Sequence, residues 1–298
     1  MPAPKSELSR PQLIRYWFEN LFLRGLIELA RLMPYRFRIP FMGWLVSTLS
    51  PLAGYHKRIR QNLELTCPDL EEAEIRRLLR DVPNNAGRTL MEIYSGTPFV
   101  EIAKQSPITG PGLAALEKAR EESRPVILVT AHFGNYDAAR AALIARGYNM
   151  GALYRRMANP YFNDHYVRSI SAIGTPMFEQ GRRGMVEMVR HLKSGGILAI
   201  LTDLHMTKGE RLSFFGQPAL TSLVTAELAL KFDALLLPVY SIRQPDGMSF
   251  TVEVHEPIEH SNPAAMTQAT NDDLEALVRK HMGQWFWIHR RWKAANKP

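Results

Sequence analysis

The hydrophobic pattern changes character about one third of the way along the chain. Up to about Ile108, apolar residues recur at helical spacing and strand signals are few. From about Thr109, short apolar runs alternate with longer amphipathic segments, which predicts strands alternating with helices. The chain therefore divides into a helical region, residues 1–108, and an α/β region, residues 109–298, and we expect the two to form one continuous structural unit.

The alternating region predicts an α/β fold with a mostly parallel, twisted sheet flanked by helices. The turn signal RQPDGMS between the last two strands predicts a hairpin, and therefore an antiparallel edge. The predicted strands are 126–130, 151–154, 176–178, 197–201, 235–240 and 250–254, and the predicted helices are 112–122, 136–146, 160–173, 183–193, 222–232 and 272–285.

The helical region is unusually rich in large apolar residues. In LIRYWFENLFLRGLIELARLM they are interrupted regularly by arginines and glutamates, and IPFMGWLVSTLSPLAGY contains 17 uncharged residues, two of them prolines. The second stretch is shorter than the roughly 20 apolar residues of a spanning helix. The pattern fits amphipathic helices in a membrane interface, with Trp17 and Trp44 at headgroup level, and equally fits an ordinary helical subdomain with an apolar core.

Charge and composition narrow the classes of partner. The 37 Lys and Arg exceed the 29 Asp and Glu by eight, which favours a partner with negative charge: an anionic lipid surface, a phosphorylated substrate, an acidic protein or nucleic acid. No nucleic-acid reading motif supports the last of these. The single cysteine, Cys67, excludes an intrachain disulfide. The glycine-rich dinucleotide and P-loop patterns are both missing, and we expect no cofactor.

A histidine stands where a predicted buried strand ends. In PVILVTAHFGNYDAAR the strand Val126–Thr130 leads to His132, and Asp137 falls in the first turn of the next helix. Open α/β sheets place their ligands at the carboxyl ends of strands. This spacing predicts that His132 acts as a general base oriented by Asp137; the alternative is a histidine that caps the core and an aspartate that stabilises the helix start.

Two further predicted strands end in polar residues. One is followed by Arg155 and Arg156, and another by Asp203 and His205. Together with His132 and Asp137, Asp203 and His205 could also be ligands of a metal, but no two-histidine spacing supports that interpretation and we expect no metal. There is no G-x-S-x-G nucleophile motif, so His132 is expected to deprotonate a substrate hydroxyl directly.

Four segments in this order resemble one known family. TAHFGNYD, YRRMANPYFNDHYVRS, LTDLHMTKGERLSFFGQPALTS and QWFWIHRRWK look like the lipid A biosynthesis lauroyl/myristoyl acyltransferases, which belong to the lysophospholipid acyltransferase superfamily with its H-x-x-x-x-D/E motif. Two positions depart from the usual pattern, Leu204 where many members have Gln and Asp137 where many have Glu.

The resemblance implies an acyltransferase that moves a long acyl chain from acyl carrier protein to a hydroxyl of a lipid A precursor. It implies His132 as general base, Asp137 as its partner and Asp203 as an acidic residue that shapes the catalytic site, with Arg155 and Arg168 binding substrate. It also implies a peripheral or monotopic enzyme on the cytoplasmic face of the inner membrane, in contact with anionic lipid. The resemblance therefore favours interfacial membrane helices over an ordinary helical subdomain as the interpretation of the N-terminal region.

Three alternatives remain at this point. The acceptor is a lysophosphatidate in related enzymes that share the H-x-x-x-x-D segment but not QWFWIHRRWK. It is a mannosylated phosphatidylinositol in actinobacterial enzymes that share all of these segments. The third is a non-catalytic peripheral membrane protein that keeps an inert α/β region.

Overall fold

A computed structural model describes residues 7–293 of the protein. Five helices precede the first strand of the main sheet. They are α1 Arg10–Arg31, α2 Tyr35–Leu49, α3 Tyr55–Thr66, α4 Glu72–Ile93 and α5 Thr97–Ala103.

The rest of the described chain alternates strands and helices. In chain order the elements are β1 Ile108–Thr109, α6 Leu113–Glu121, β2 Val126–Thr130, α7 Tyr136–Ala145, β3 Met150–Tyr154, α8 Pro160–Ile173, β4 Met177–Glu179, α9 Arg182–Lys193, β5 Ile197–Leu201, β6 Glu210–Phe214, β7 Gln217–Thr221, α10 Val224–Lys231, β8 Leu235–Arg243, β9 Phe250–Val254 and α11 Pro263–Lys280. The main sheet has seven strands in the order β1-β9-β8-β2-β5-β3-β4, and all neighbours are parallel except β8 and β9. The predicted mixed α/β fold with a mostly parallel sheet between helices is confirmed.

The central strands are apolar because both faces of the sheet are covered. Every residue of β2 and of β8 is buried. Residues Ile127 and Val129 pack on one side of the sheet, and Val126 and Leu128 pack on the other. This is the pattern expected for parallel strands that lie between two layers of helices.

Three details differ from the prediction. The β8–β9 hairpin is antiparallel as predicted, but β9 is not the sheet edge, because β1 pairs with it in parallel. The hairpin β6–β7 was not predicted. Its strands form a separate two-stranded sheet whose residues are largely exposed or half-buried, so they lack the apolar run that marks a buried strand. Helix α11 begins at Pro263 rather than at residue 272, because the side chain of Asn262 caps it and proline fits its first turn, and it ends at Lys280 rather than at residue 285.

Two glycines bring α2 and α4 into close contact. A Cβ on Gly87 would lie 2.6 Å from the carbonyl oxygen of Met42, and one on Gly43 would lie 2.8 Å from the side chain of Asn84. Both approaches are closer than carbon–oxygen contacts allow, so a side chain at either position would push the helices apart.

Helices α1 and α2 present an exposed apolar surface, which includes Trp17, Phe18, Phe22, Leu29, Phe41 and Trp44. An exposed patch of this composition is typical of an interaction surface. Within residues 7–293, no helix has both the length and the apolar composition needed to cross a bilayer.

Candidate active site

His132 and Asp203 meet at the carboxyl end of the sheet. Strands β2 and β5 are parallel neighbours with Thr130 paired to Leu201, so the residues that follow each strand emerge side by side. The Nδ1 atom of His132 lies 2.9 Å from Oδ1 of Asp203, and the backbone N–H of His132 donates to Oδ2 at 2.9 Å. The imidazole side chain is 27% exposed and the carboxylate only 1%, so the ring alone is open to a substrate.

The carboxylate of Asp203 is held by a third donor. Trp285 donates its indole N–H to Oδ2 at 3.0 Å, and both side chains are buried. Burial alone would raise the pKa of Asp203, but the charge and hydrogen bonds of His132 and the bond from Trp285 together lower it. Asp203 is therefore an ionised carboxylate that fixes the imidazole with its proton on Nδ1, leaving Nε2 as an acceptor.

Asp137 does not orient His132, which corrects the pairing predicted from the H-x-x-x-x-D spacing. Its carboxylate lies 2.7 Å from the guanidinium of Arg140, one helical turn along α7, and both side chains are buried. Arg140 also donates to the carbonyl oxygens of Ile170 and Gly174. The pair therefore joins α7 to the end of α8.

The turn after His132 requires a glycine. Gly134 has a φ of +51°, and a Cβ there would lie 1.9 Å from the carbonyl oxygen of Ser241. The carbonyl oxygen of Gly134 accepts from Thr89 at 2.7 Å and from Asn85 at 3.1 Å, both on α4. Helix α4 therefore holds the backbone that presents His132.

A buried ion pair supports the same turn. Glu92 on α4 pairs with Arg243 at the end of β8, and the two side chains are almost fully buried. Glu92 also accepts from the amide of Asn135 at 2.8 Å, and Asn135 in turn caps α7 through the N–H of Asp137. Each charged atom thus has partners, which a buried ion pair needs if it is not to destabilise the fold.

An apolar groove opens beside His132. Its volume is about 190 Å³, and one wall is a single face of α4. The other wall contains Tyr136 and Phe286, whose rings lie 5.4 and 5.9 Å from the imidazole ring, measured between centroids. The apolar residues that α4 contributes are Val82, Ala86, Leu90 and Ile93.

The two arginines predicted to bind substrate are both exposed. Arg155 follows β3, the strand next to β5, so it lies at the same end of the sheet as His132 and Asp203. Arg168 lies in the middle of α8, which packs against α1. The structure does not bring either of them into hydrogen-bond contact with His132 or Asp203.

His205 does not join a metal site. Its backbone N–H donates to Nε2 of His289 at 2.8 Å, which ties the loop after Asp203 to the C-terminal segment. Burial lowers the pKa of His289 to about 4, so this imidazole is neutral and able to accept that bond. Within residues 7–293, no three side chains of the metal-binding types come together.

Sequence reasoning missed the residues that complete the site from outside the sheet. The segment after the 3₁₀ turn Met282–Gln284 runs beside the His132 loop, with Phe286 donating its backbone N–H to the carbonyl oxygen of His132. This segment supplies Trp285 and Phe286. It belongs to QWFWIHRRWK, which the sequence analysis singled out without predicting a contact with Asp203.

Comparisons with known proteins identify the family to which the chain belongs. The family described as "Bacterial lipid A biosynthesis acyltransferase" matches residues 2–294. The chain belongs to this family. It is therefore an acyltransferase, as the four segments indicated, and the predicted class of enzyme is confirmed.

Individual relatives are distant in sequence but similar over most of their length. A lipid A biosynthesis lauroyltransferase of Escherichia coli is 26% identical, over 94% of this chain and 92% of its own. Lipid A biosynthesis acyltransferase 2 of Shigella flexneri is 25% identical, over 92% and 88%. A phosphatidylinositol mannoside acyltransferase of Mycobacterium tuberculosis is 23% identical, over 65% and 63%.

Proposed function

We propose that this acyltransferase moves an acyl chain from acyl carrier protein to a hydroxyl of a lipid A precursor, at the cytoplasmic face of the inner membrane. The observation that carries the proposal is a histidine, fixed by a buried carboxylate, that opens onto an apolar groove. The family membership and the relatives named for lipid A support the acceptor.

In the proposed mechanism His132 is the general base. Its Nε2 takes the proton of the acceptor hydroxyl, and the oxygen attacks the carbonyl carbon of the acyl thioester. The tetrahedral intermediate then collapses, the carbon–sulfur bond breaks, and the imidazolium returns the proton to the leaving thiolate. Asp203, in place of the predicted Asp137, stabilises the imidazolium while it exists.

The groove fits the proposed acyl chain. Its apolar wall extends from Val82 to Ile93, and a helix rises 1.5 Å per residue, so the wall is about 16 Å long. Carbon–carbon bonds of about 1.5 Å give an extended chain ~1.25 Å per methylene, so the wall matches a chain of about 13 carbons. Burying such a chain supplies binding energy of about 0.8 kcal/mol per methylene.

The membrane location rests on the surface of α1 and α2. Their exposed apolar residues face away from the rest of the protein, and arginines such as Arg15, Arg24 and Arg36 accompany them. An apolar face bordered by cations is suited to a bilayer with anionic headgroups. The excess of eight positive charges also favours an acidic carrier protein as the donor.

A transfer assay read by mass spectrometry tests the proposal. Purified enzyme in detergent receives a mixture of acyl-carrier-protein donors and a Kdo-bearing lipid A precursor, with His132→Ala as the control. We expect a product heavier by one acyl chain, missing with His132→Ala. A folded enzyme that acylates only a mannosylated phosphatidylinositol or a lysophosphatidate would refute the acceptor, and wild-type turnover by His132→Ala would refute the mechanism.

A further inference from the structure

A second cavity lies beside the groove, between the β8–β9 hairpin and the end of α11. Its volume is about 540 Å³, which is in the size range of small-molecule binding sites. Ile242 pairs with Thr251 across the hairpin, and alternate residues of a strand share a face, so Ile242, Thr251 and Glu253 all lie on the face that packs against α11. The lining of this cavity includes Ile242, Gln244, Thr251, Glu253, His281 and Gln284.

Gln284 forms the wall between this cavity and the groove, because it lines both. Its side-chain oxygen accepts the backbone N–H of Arg243 at 2.8 Å, and its side-chain amide donates to the carbonyl oxygen of Arg243 at 2.9 Å. Its own carbonyl oxygen accepts the N–H of Gly134 at 3.0 Å, in the turn that presents the catalytic histidine. Nearby, the ring of His281 lies 6.2 Å from that of Phe133, measured between centroids. The cavity is therefore fixed next to the catalytic loop.

The cavity is lined by polar groups with hydrogen-bonding capacity to spare. One oxygen of Glu253 lies 3.4 Å from Nε2 of His255, and the amide of Gln244 donates to a backbone carbonyl, which leaves an oxygen of each side chain without a partner among residues 7–293. Over the same residues, the hydroxyl of Thr251 and the ring nitrogens of His281 make no hydrogen bond. Burial lowers the pKa of His281, so its ring is neutral and carries one donor and one acceptor nitrogen.

Glu253 is held in place from behind by a second pair of side chains. His255 lies between Glu253 and Asp273 of α11, with its Nδ1 2.8 Å from Oδ1 of Asp273. Burial would lower the pKa of His255, but the hydrogen bonds and charges of the two carboxylates together raise it. The imidazole therefore orients Glu253 and balances part of its charge. None of these three residues takes part in the mechanism proposed for His132.

The lining of the cavity is unsuited to an anion and to an acyl chain. Arg243 is the cation that borders the cavity, and every nitrogen of its guanidinium already donates within the fold. Its partners are Asn85, Thr89, Glu92 and the carbonyl oxygen of Gly247. A phosphate or carboxylate would therefore meet the charge of Glu253 without a free cation to offset it. A hydrocarbon chain would leave the polar groups of the lining without partners.

We propose that this cavity binds a neutral sugar ring through Glu253, Gln244, Thr251 and His281. Sugar hydroxyls donate to the free oxygens of Glu253 and Gln244, and they exchange hydrogen bonds with the hydroxyl of Thr251 and the imidazole of His281. Ile242 adds apolar surface for the carbon atoms of the ring. That the sugar belongs to the acylated lipid rests on the proposed function: the reacting hydroxyl then lies at His132, on the groove side of Gln284, and the sugar lies on the other side.

The first experiment measures binding of N-acetylglucosamine to the full-length protein by saturation-transfer NMR. The detergent is a polyoxyethylene ether, because a sugar-headed detergent would compete. Glu253→Gln should weaken binding about tenfold, since it removes a charge-assisted hydrogen bond, and Thr251→Val, which keeps the shape of the side chain, should weaken it about threefold. Glu256→Gln, in the exposed loop after β9, is the matched control and should bind as the wild type does.

The second experiment asks whether the sugar is that of the acyl acceptor. In steady-state transfer, Glu253→Gln should raise the KM of a glycolipid acceptor about tenfold and change kcat less than twofold, because the sugar is bound equally in the ground state and the transition state. The KM of the acyl donor should match that of Glu256→Gln. A merely structural role of Glu253 would instead lower Tm and kcat together and leave the affinity for the free sugar unchanged.

The proposal is overturned if the wild type does not bind the sugar, if Glu253→Gln and Thr251→Val both bind it as tightly as Glu256→Gln, or if ethanolamine binds in its place, which would make the cavity a cation site. If the sugar binds but Glu253→Gln leaves the KM of the acceptor unchanged, the sugar site stands and its assignment to the acceptor is refuted. The binding measurement needs no acyl transfer, so a failure of the proposed function is distinguished from a failure of the sugar site.

Discussion

The hydrogen bonds around Asp203 predict what happens when one oxygen of its carboxylate is replaced by an amide nitrogen. In Asp203→Asn the side chain must place its single acceptor oxygen at the Oδ2 position, because two fixed donors, the backbone N–H of His132 and the indole N–H of Trp285, point there. The amide NH₂ then faces Nδ1 of His132. The imidazole responds by carrying its proton on Nε2, and in that tautomer it cannot accept a proton from a hydroxyl.

The magnitude follows from two losses. Restoring the active tautomer leaves two donors facing each other in a buried place, which costs ~2 kcal/mol. The charge-assisted bond that stabilises the imidazolium is lost as well, and contributes about 2 kcal/mol more. Together these raise the barrier by about 4 kcal/mol, so kcat should fall about 10³-fold.

Asp137→Asn should lower the stability of the fold and leave kcat nearly unchanged. It leaves the buried Arg140 without its counter-ion, so Tm should fall by several degrees, while kcat per folded enzyme stays within about fivefold of the wild type. Asp69→Asn, in the exposed loop before α4, is the matched control for both. Steady-state transfer at saturating donor measures kcat for each variant, and a thermal melt measures its Tm. An Asp203→Asn enzyme within tenfold of wild-type kcat, or an Asp137→Asn enzyme that is folded but inactive, would refute the reasoning.

Three further substitutions test other parts of the structure. Gly134→Ala places a Cβ 1.9 Å from the carbonyl oxygen of Ser241 at a positive φ, so we expect at least a 10²-fold loss of transfer together with a lower Tm in a melt. Ala86→Leu fills the middle of the groove wall, so turnover of the preferred donor should fall about tenfold and a shorter chain should become preferred in a donor mixture; an unchanged preference would exclude this groove as the acyl site. The pKa of His289 is lowered from 6.5 to about 4, so between these values the unfolded chain binds a proton that the folded protein does not, and stability falls as the pH drops. In urea melts, the free energy of unfolding should fall between pH 7 and pH 5 by about 1 kcal/mol less in His289→Gln than in the wild type, after allowance for partial exposure. Equal falls in the variant and the wild type would contradict this.

The sheet and the positions of His132 and Asp203 at its carboxyl edge could be predicted because their signals are local. Val126–Thr130 reads as a buried strand from five consecutive apolar or β-branched residues, and the rule for strand ends then places His132 and, after β5, Asp203 at the same edge. Two predicted strands in the middle of the sheet, Val126–Thr130 and Ile197–Leu201, have the same bounds in the structure.

The partner of His132 could not be predicted from spacing alone. From the sequence, both Asp137 and Asp203 are candidates for the carboxylate beside a histidine at a strand end. Which of them pairs with His132 depends on the direction in which the face of α7 that carries Asp137 points. The arginine one turn along α7 was the available signal, because residues at i and i+3 share a face and Arg140 offers Asp137 a nearer partner. Trp285 follows from no local pattern, since its bond to Asp203 joins residues 82 positions apart.

The contact between Trp285 and Asp203 has a consequence for how the enzyme is made. Strand β2 and His132 are synthesised first, and the indole of Trp285 that donates to Asp203 belongs to a segment synthesised more than 150 residues later. Contacts of such separation in sequence form late in folding. A nascent chain therefore carries the exposed apolar surface of α1 and α2 before it contains the indole N–H that holds Asp203 beside His132.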